Sequence, residues 1–155
     1  MVIYFLRHAE AEDFVDSDAA RRLTAKGLEQ AAKVGKFCVR NGLKPDLILS
    51  SPFVRARHTA EIVAKALGET PRIENWLACG MGPEKLFAKL AEIDNAESIM
   101  VVGHEPDIGN CIAALTGMEN AIGINIRKAS LTAVDTIMPV PRGGSLQFSV
   151  PVRLM

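Results

Sequence analysis

Short apolar runs alternate with helical patterns along this chain, and that alternation restricts the fold more than any other feature. Val2–Leu6, Asp46–Leu49 and Ser98–Val102 are too short for helices and read as strands, the last apolar enough to be covered on both faces. Residues 24–41 follow the first strand with Leu28, Ala31, Ala32, Gly35 and Val39 at helical spacing, Thr24 as N-cap and Asn41-Gly42 as the stop. A second helix is predicted from Ser50-Ser51-Pro52 to Leu67, with a serine cap, a proline in the first turn and Ala56, Ala60, Val63, Ala64 and Leu67 on its buried face. Pro83 opens a third helix reaching Ile93, with Leu86, Leu90 and Ile93 on one side, and a fourth runs from the Gly103-His104-Glu105-Pro106 turn to Thr116-Gly117. Residues 129–138 and 144–150 read as two strands with a hairpin-like connection, and the Gly- and Pro-containing stretch 69–82 as a loop with a short extended piece around Ile73. Strand alternating with helix implies an α/β fold, a mostly parallel central sheet with helices on both faces.

A length of 155 residues fits one domain, residues 1–155, with a core large enough to need no metal or disulfide staple. Lys plus Arg and Asp plus Glu both total 18, so the chain as a whole projects no strong field, which argues against a nucleic-acid or membrane-surface binder. No run approaches the ~20 apolar residues of a membrane span, and no signal-peptide pattern is present, so a cytoplasmic protein is expected. Cys38, Cys79 and Cys111 lack the pairing of a zinc site or a disulfide framework and read as reduced thiols, mostly in the core. No signature of an oligomer stands out.

Chemistry-bearing residues sit where the predicted strands run out. Arg7-His8 follows the first strand, Arg55 lies one turn into the helix after the second, and His104 follows the third. In a doubly wound sheet these carboxyl ends share one edge, where ligands gather. Two guanidinium groups supply forked donors for the oxygens of a transferring phosphoryl group. Neighbouring guanidinium charge also disfavours protonation of an imidazole, so His8 is expected to keep a nucleophilic lone pair at neutral pH. His104 could donate to the same oxygens, and no metal or other cofactor is required. Competing sites are weak: His58 lies on the same helix as Arg55 with no ligand spacing, Asp16-Ser17-Asp18 follows no strand, no cysteine has an arginine six positions on, and a Walker A loop is absent.

Leu6-Arg7-His8-Ala9-Glu10 resembles the Arg-His-Gly signature of the histidine phosphatase, or phosphoglycerate-mutase-like, superfamily. The stretch Ser50-Ser51-Pro52-Phe53-Val54-Arg55-Ala56-Arg57-His58-Thr59-Ala60 is similar to its second block, and Val101-Val102-Gly103-His104 to its third. Short length and the segment Ser17–Gly27 resemble the SixA-type phosphohistidine phosphatases within it. The resemblance spans nearly the whole chain and implies a phosphoglycerate-mutase-like three-layer α/β/α sandwich.

By that resemblance His8 is phosphorylated during turnover while Arg7, Arg55 and His104 hold the phosphoryl group. Arg21 aligns with an arginine of the SixA-type segment and is a candidate substrate contact, with a solvated charge beside Arg22 as the alternative. Two positions depart from the pattern. Ala9 stands where glycine is usual, and Trp76 stands where many relatives carry an acidic glutamate, with Glu74 nearby but out of step. Lack of an acid favours a leaving group that departs readily, as the imidazole of phosphohistidine does. The expectation is a metal-independent phosphatase acting on a phosphorylated protein (phosphohistidine). The alternatives are a phosphomonoesterase acting on a small phosphate ester (sugar or nucleotide phosphate) and a non-catalytic module that reads phosphate.

Overall fold

Alternating apolar residues give the first strand two buried faces, and the elements that follow supply a cover for each. In chain order they are β1 (Val2–Arg7), α1 (Ala25–Arg40), β2 (Leu47–Ser50), α2 (Val54–Leu67), β3 (Arg72–Ile73), α3 (Pro83–Ala91), β4 (Ser98–Gly103), α4 (Asp107–Thr116), β5 (Leu131–Thr136) and β6 (Gly144–Val150). The computed structural model describes residues 1–13 and 17–155. One six-stranded sheet has the order β3-β2-β4-β1-β5-β6. Pairings among the first four strands of that order are parallel, while β5 is antiparallel to both its neighbours.

Successive side chains of a strand point to opposite faces, and β1 shows it directly. Ile3 and Phe5 join Ile99, Val101 and Leu49 in a core closed by Leu86 and Leu90 of α3 and Ile108 and Ile112 of α4. Leu6 joins Ile48, Met100 and Val102 in a second core closed by Ala31, Val34 and Cys38 of α1 and Ala56, Ala60 and Val63 of α2. These two cores on either side of one sheet make the three-layer α/β/α sandwich.

Thr24 caps α1 as expected, its side chain accepting from the Gly27 amide. The buried stripe of α1 differs from the predicted one: it is Gly27, Ala31, Val34, Gly35 and Cys38, while Leu28 and Val39 are 47% and 55% exposed. Close approach decides this. A methyl group built on Gly27 would lie 1.9 Å from the Glu10 carbonyl oxygen, and one on Gly35 2.8 Å from the Ala66 β-carbon. The helix therefore presses its small residues inward.

The second helix also starts later than predicted. Ser50 ends β2, Phe53 is the N-cap without a side-chain cap, and Pro52 precedes the helix rather than opening it. The predicted loop 69–82 is more ordered than its composition indicates. It holds the edge strand β3, a 3₁₀ turn at Asn75–Leu77, and Leu77 and Met81 buried in the first core. Cys38 and Cys111 are buried thiols, which burial pushes up to about 11 and about 12, whereas Cys79 is exposed.

Candidate active site

Register aligns the strand ends. Leu6 pairs with Val102, which also pairs with Ser50, so Arg7-His8, Ser51 and Gly103-His104 leave the sheet at one edge. Backbone bonds hold the exits together: the His8 amide donates to the Gly103 carbonyl at 3.0 Å and the Ser51 amide to the Val102 carbonyl at 3.0 Å. Parallel strands that end together turn residues nearly a hundred positions apart into neighbours.

His8 is 6% exposed, Arg55 4% and His104 2%. The His8 Nδ1 lies 2.7 Å from the Ala9 carbonyl oxygen, an acceptor only, so Nδ1 carries the hydrogen and Nε2 the lone pair. Arg55 Nε donates to that Nε2 at 3.2 Å. The two imidazole rings lie 5.2 Å apart. Burial lowers the pKa of His8 to about 3 against the Ala9 bond, and the His104, Arg55 and Arg7 side chains lower it further. Burial, then Arg55, lowers His104 to about 4. Both rings are neutral at physiological pH, so His8 offers a lone pair without first losing a proton.

Thr59, one turn after Arg55, ties nucleophile loop to helix. Its hydroxyl donates to the Arg55 carbonyl at 2.7 Å and accepts the Ala9 amide at 3.1 Å. Ser51 approaches His104 Nε2 at 2.7 Å while its oxygen accepts the Phe53 amide at 3.3 Å. His104 Nδ1 is buried with no partner, as is Arg7 Nε, while Arg7 Nη1 donates to the Ile126 carbonyl at 2.7 Å. Two buried nitrogens without partners, one a guanidinium N–H and the other a ring nitrogen that donates when it carries the imidazole hydrogen, lie where an oxyanion would complete them.

Arg21 does not stand alone beside Arg22. Its Nη1 donates to Asp18 Oδ1 at 2.9 Å, and Asp18 Oδ2 accepts from Arg55 Nη2 at 3.0 Å. The Asp18 backbone oxygen takes Arg55 Nη1 at 2.6 Å. Asp18 thus links Arg21 to Arg55, and the hydrogen bond from Arg21 above all holds its carboxyl below the usual range, burial opposing it and the Arg55 hydrogen bond adding to it. Asp16 lies outside the described residues. Glu74 is elsewhere: it pairs with Arg72 in a hollow of about 320 Å³ that Trp76 and Lys89 also line.

Sequence reasoning missed Asp18, Ser51, Thr59 and Glu105. Asp18 follows no strand and so carries no local signal of a site, yet a 3₁₀ turn at Asp18–Ala20 places it against Arg55. Burial raises the Glu105 carboxyl, which accepts the Gly109 amide at 3.0 Å and lies within electrostatic reach of Arg7. Thr59 alone carried a usable signal, a hydroxyl four residues after an arginine on one helix face. Among the described residues no three His, Cys, Asp or Glu side chains cluster as a metal site would need. No helix there is long and apolar enough to cross a membrane.

The model of the histidine phosphatase superfamily (branch 1) matches residues 3–79. A phosphohistidine phosphatase SixA homolog of Haemophilus influenzae is 33% identical over 135 residues, 79% of this chain and 81% of that protein. Among solved structures, the protein histidine phosphatase SixA complexed with tungstate superposes with a TM-score of 0.87 at 22% identity over 99% of each chain. The α-ribazole phosphatase of Shigella flexneri does so with a TM-score of 0.81 at 20% identity, over 98% of this chain and 97% of that one. The last two likenesses concern the fold; the identity to the Haemophilus protein, spread over four-fifths of both chains, makes this chain a SixA-type member of the histidine phosphatase superfamily.

Proposed function

We propose that this phosphatase works without a metal through a phosphohistidine on His8, and that its substrate is a protein phosphohistidine. The carrying observation is the state of His8: a buried neutral ring whose Nδ1 hydrogen is fixed on Ala9, leaving Nε2 as the nucleophile beside Arg55. In the first step Nε2 forms a bond to phosphorus as the bond from phosphorus to the substrate imidazole breaks. Arg55 Nε shifts from Nε2 to a phosphoryl oxygen, and Arg7 supplies a second guanidinium. Ser51 accepts an amide hydrogen, so its own hydroxyl hydrogen is available to His104 Nε2, which puts a donor on His104 Nδ1. Water then attacks phosphorus, the bond to His8 breaks with its electron pair returning to Nε2, and dihydrogen phosphate leaves carrying both hydrogens of that water.

Phosphohistidine is favoured by the carboxylates. Glu74 is paired with Arg72, and Asp18 is held ionised by two arginines, so neither is placed to protonate a leaving group. An imidazole that departs already protonated needs no such acid. The names of the SixA relatives agree with this reading. Incubation with a phosphorylated histidine donor in chelator should give an acid-labile label on the protein and none on His8→Ala. Label retained by that variant would remove His8 as acceptor.

A small-ester phosphomonoesterase is the second reading, and Glu105 is the observation for it, a carboxyl raised by burial directly after His104. On this reading Glu105→Gln lowers turnover of an alkyl phosphate by a factor of about a hundred and spares phosphohistidine. Equal effects on both substrates would exclude Glu105 as an acid.

A further inference from the structure

Cations gather on one side of the strand edge that carries His8. Two adjoining hollows, of about 310 and 300 Å³, share Lys26, Gln30, Val152 and Arg153. Lys33 and Glu29 line one, and Arg127 and Lys128 the other. Five cations and one carboxylate side chain, Glu29, therefore line the two hollows, and Lys26 among them is paired with Glu10 at 2.7 Å. Among the described residues Lys33, Arg127, Lys128 and Arg153 have no carboxylate within salt-bridge distance, and all but the half-buried Lys128 are exposed. In a chain with equal totals of acidic and basic residues this is a local asymmetry.

The walls of this surface are fastened to the nucleophile loop. Gln30 Oε1 accepts the Glu10 amide at 2.8 Å, and the Ala129 amide donates to the Arg7 and His8 carbonyls at 3.1 and 3.2 Å. Ile126, next to Arg127, takes the Arg7 guanidinium. The basic surface is therefore continuous, through Glu10, Ile126 and Ala129, with the loop that carries His8. No aromatic side chain lines either hollow, so there is no stacking platform for bases.

We propose that this basic surface docks an acidic face of the protein that carries the phosphohistidine. The proposal rests on the phosphohistidine reading and names the partner's chemistry. Carboxylates of the partner would pair with Lys33, Arg127 and Arg153 and raise the encounter rate in a salt-dependent way.

The test compares two synthetic phosphohistidine peptides of equal length, one flanked by glutamates and one by lysines, with free phosphohistidine. Wild-type kcat/KM should favour the glutamate peptide by about tenfold or more at low salt, mainly through KM, and the preference should fade at roughly 0.5 M salt. In the K33E/R127E/R153E variant the preference should vanish or invert, with free phosphohistidine turned over within about twofold of wild type, since these exposed side chains leave the phosphoryl-binding groups untouched. Equal rates on both peptides in wild type, or a preference unchanged in the variant, would overturn docking while leaving the phosphatase reading intact. If neither peptide nor free phosphohistidine is turned over, the phosphohistidine reading fails instead. The surface is then judged by fluorescence anisotropy of the unphosphorylated peptides, where equal affinities count against it. An oligonucleotide of equal charge binding more than about tenfold tighter than the glutamate peptide would overturn a protein partner, because phosphate contacts alone dominate such binding.

Discussion

Arg55 meets four groups at once: His8 Nε2, the Asp18 carboxylate, the Asp18 carbonyl and the Cys79 sulfur. A guanidinium has five N–H donors, so Asp18 can hold it and still leave donors for phosphoryl oxygens. Removing the carboxylate should let Arg55 relax from the nucleophile. We expect Asp18→Ala to lower kcat/KM by about ten- to a hundredfold, with Asp18→Asn retaining more because its oxygen still accepts. Turnover of Asp18→Ala equal to wild type would show that Arg55 needs no such hold. At this scale the convergence of Arg7, His8, Arg55 and His104 was legible, because each lies at a strand exit or within one helical turn of one. Asp18 was not, since an aspartate in a polar loop looks like any solvated charge until a fold sets an arginine beside it.

One contact of α1 reaches toward the chemistry. Gly27 lies so close to Glu10 that any β-carbon would overlap the Glu10 carbonyl, which also accepts the Thr24 amide. Glu10 is two residues from His8. Gly27→Ala should therefore displace the loop after β1, lowering stability by about 2–3 kcal/mol in urea unfolding and reducing kcat more than the loss of folded protein explains. A gain in stability, as an ordinary glycine to alanine change inside a helix gives, would contradict the close contact. Helix existence was legible from caps and periodicity. The face of α1 was not, because Leu28 and Val39 have the hydrophobicity of core residues, while contact with β1's exit and with α2 selects glycine, alanine and cysteine.

Across the whole molecule, burial of two imidazoles links folding to pH. In the unfolded chain each histidine titrates near 6.5, whereas the folded values are about 3 for His8 and about 4 for His104. As pH falls below 6.5 the unfolded chain takes up protons that the folded chain refuses. Stability from this source is complete above about pH 6.5 and lost progressively toward about pH 4, at up to about 1.4 kcal/mol per pH unit for each histidine. Urea midpoints at pH 7, 6 and 5 should fall with acidification, and less steeply for a His8→Ala variant. Parallel slopes for the two proteins would mean that His8 protonates in the folded state as freely as in the unfolded one.

Strand and helix succession, and hence the α/β class, follow from local order in the chain, because periodicity and capping are properties of neighbouring residues. Four site candidates follow from the same order, since strand exits can be located before the strands are assembled. The strand order β3-β2-β4-β1-β5-β6, the start of α2 beyond Pro52 and the placement of Asp18 against Arg55 belong to tertiary structure alone. So does the basic surface, whose cations come from α1, the 126–129 turn and the chain's last residues. Such features depend on which distant surfaces pack together, and packing is decided by shape and burial summed over the whole chain.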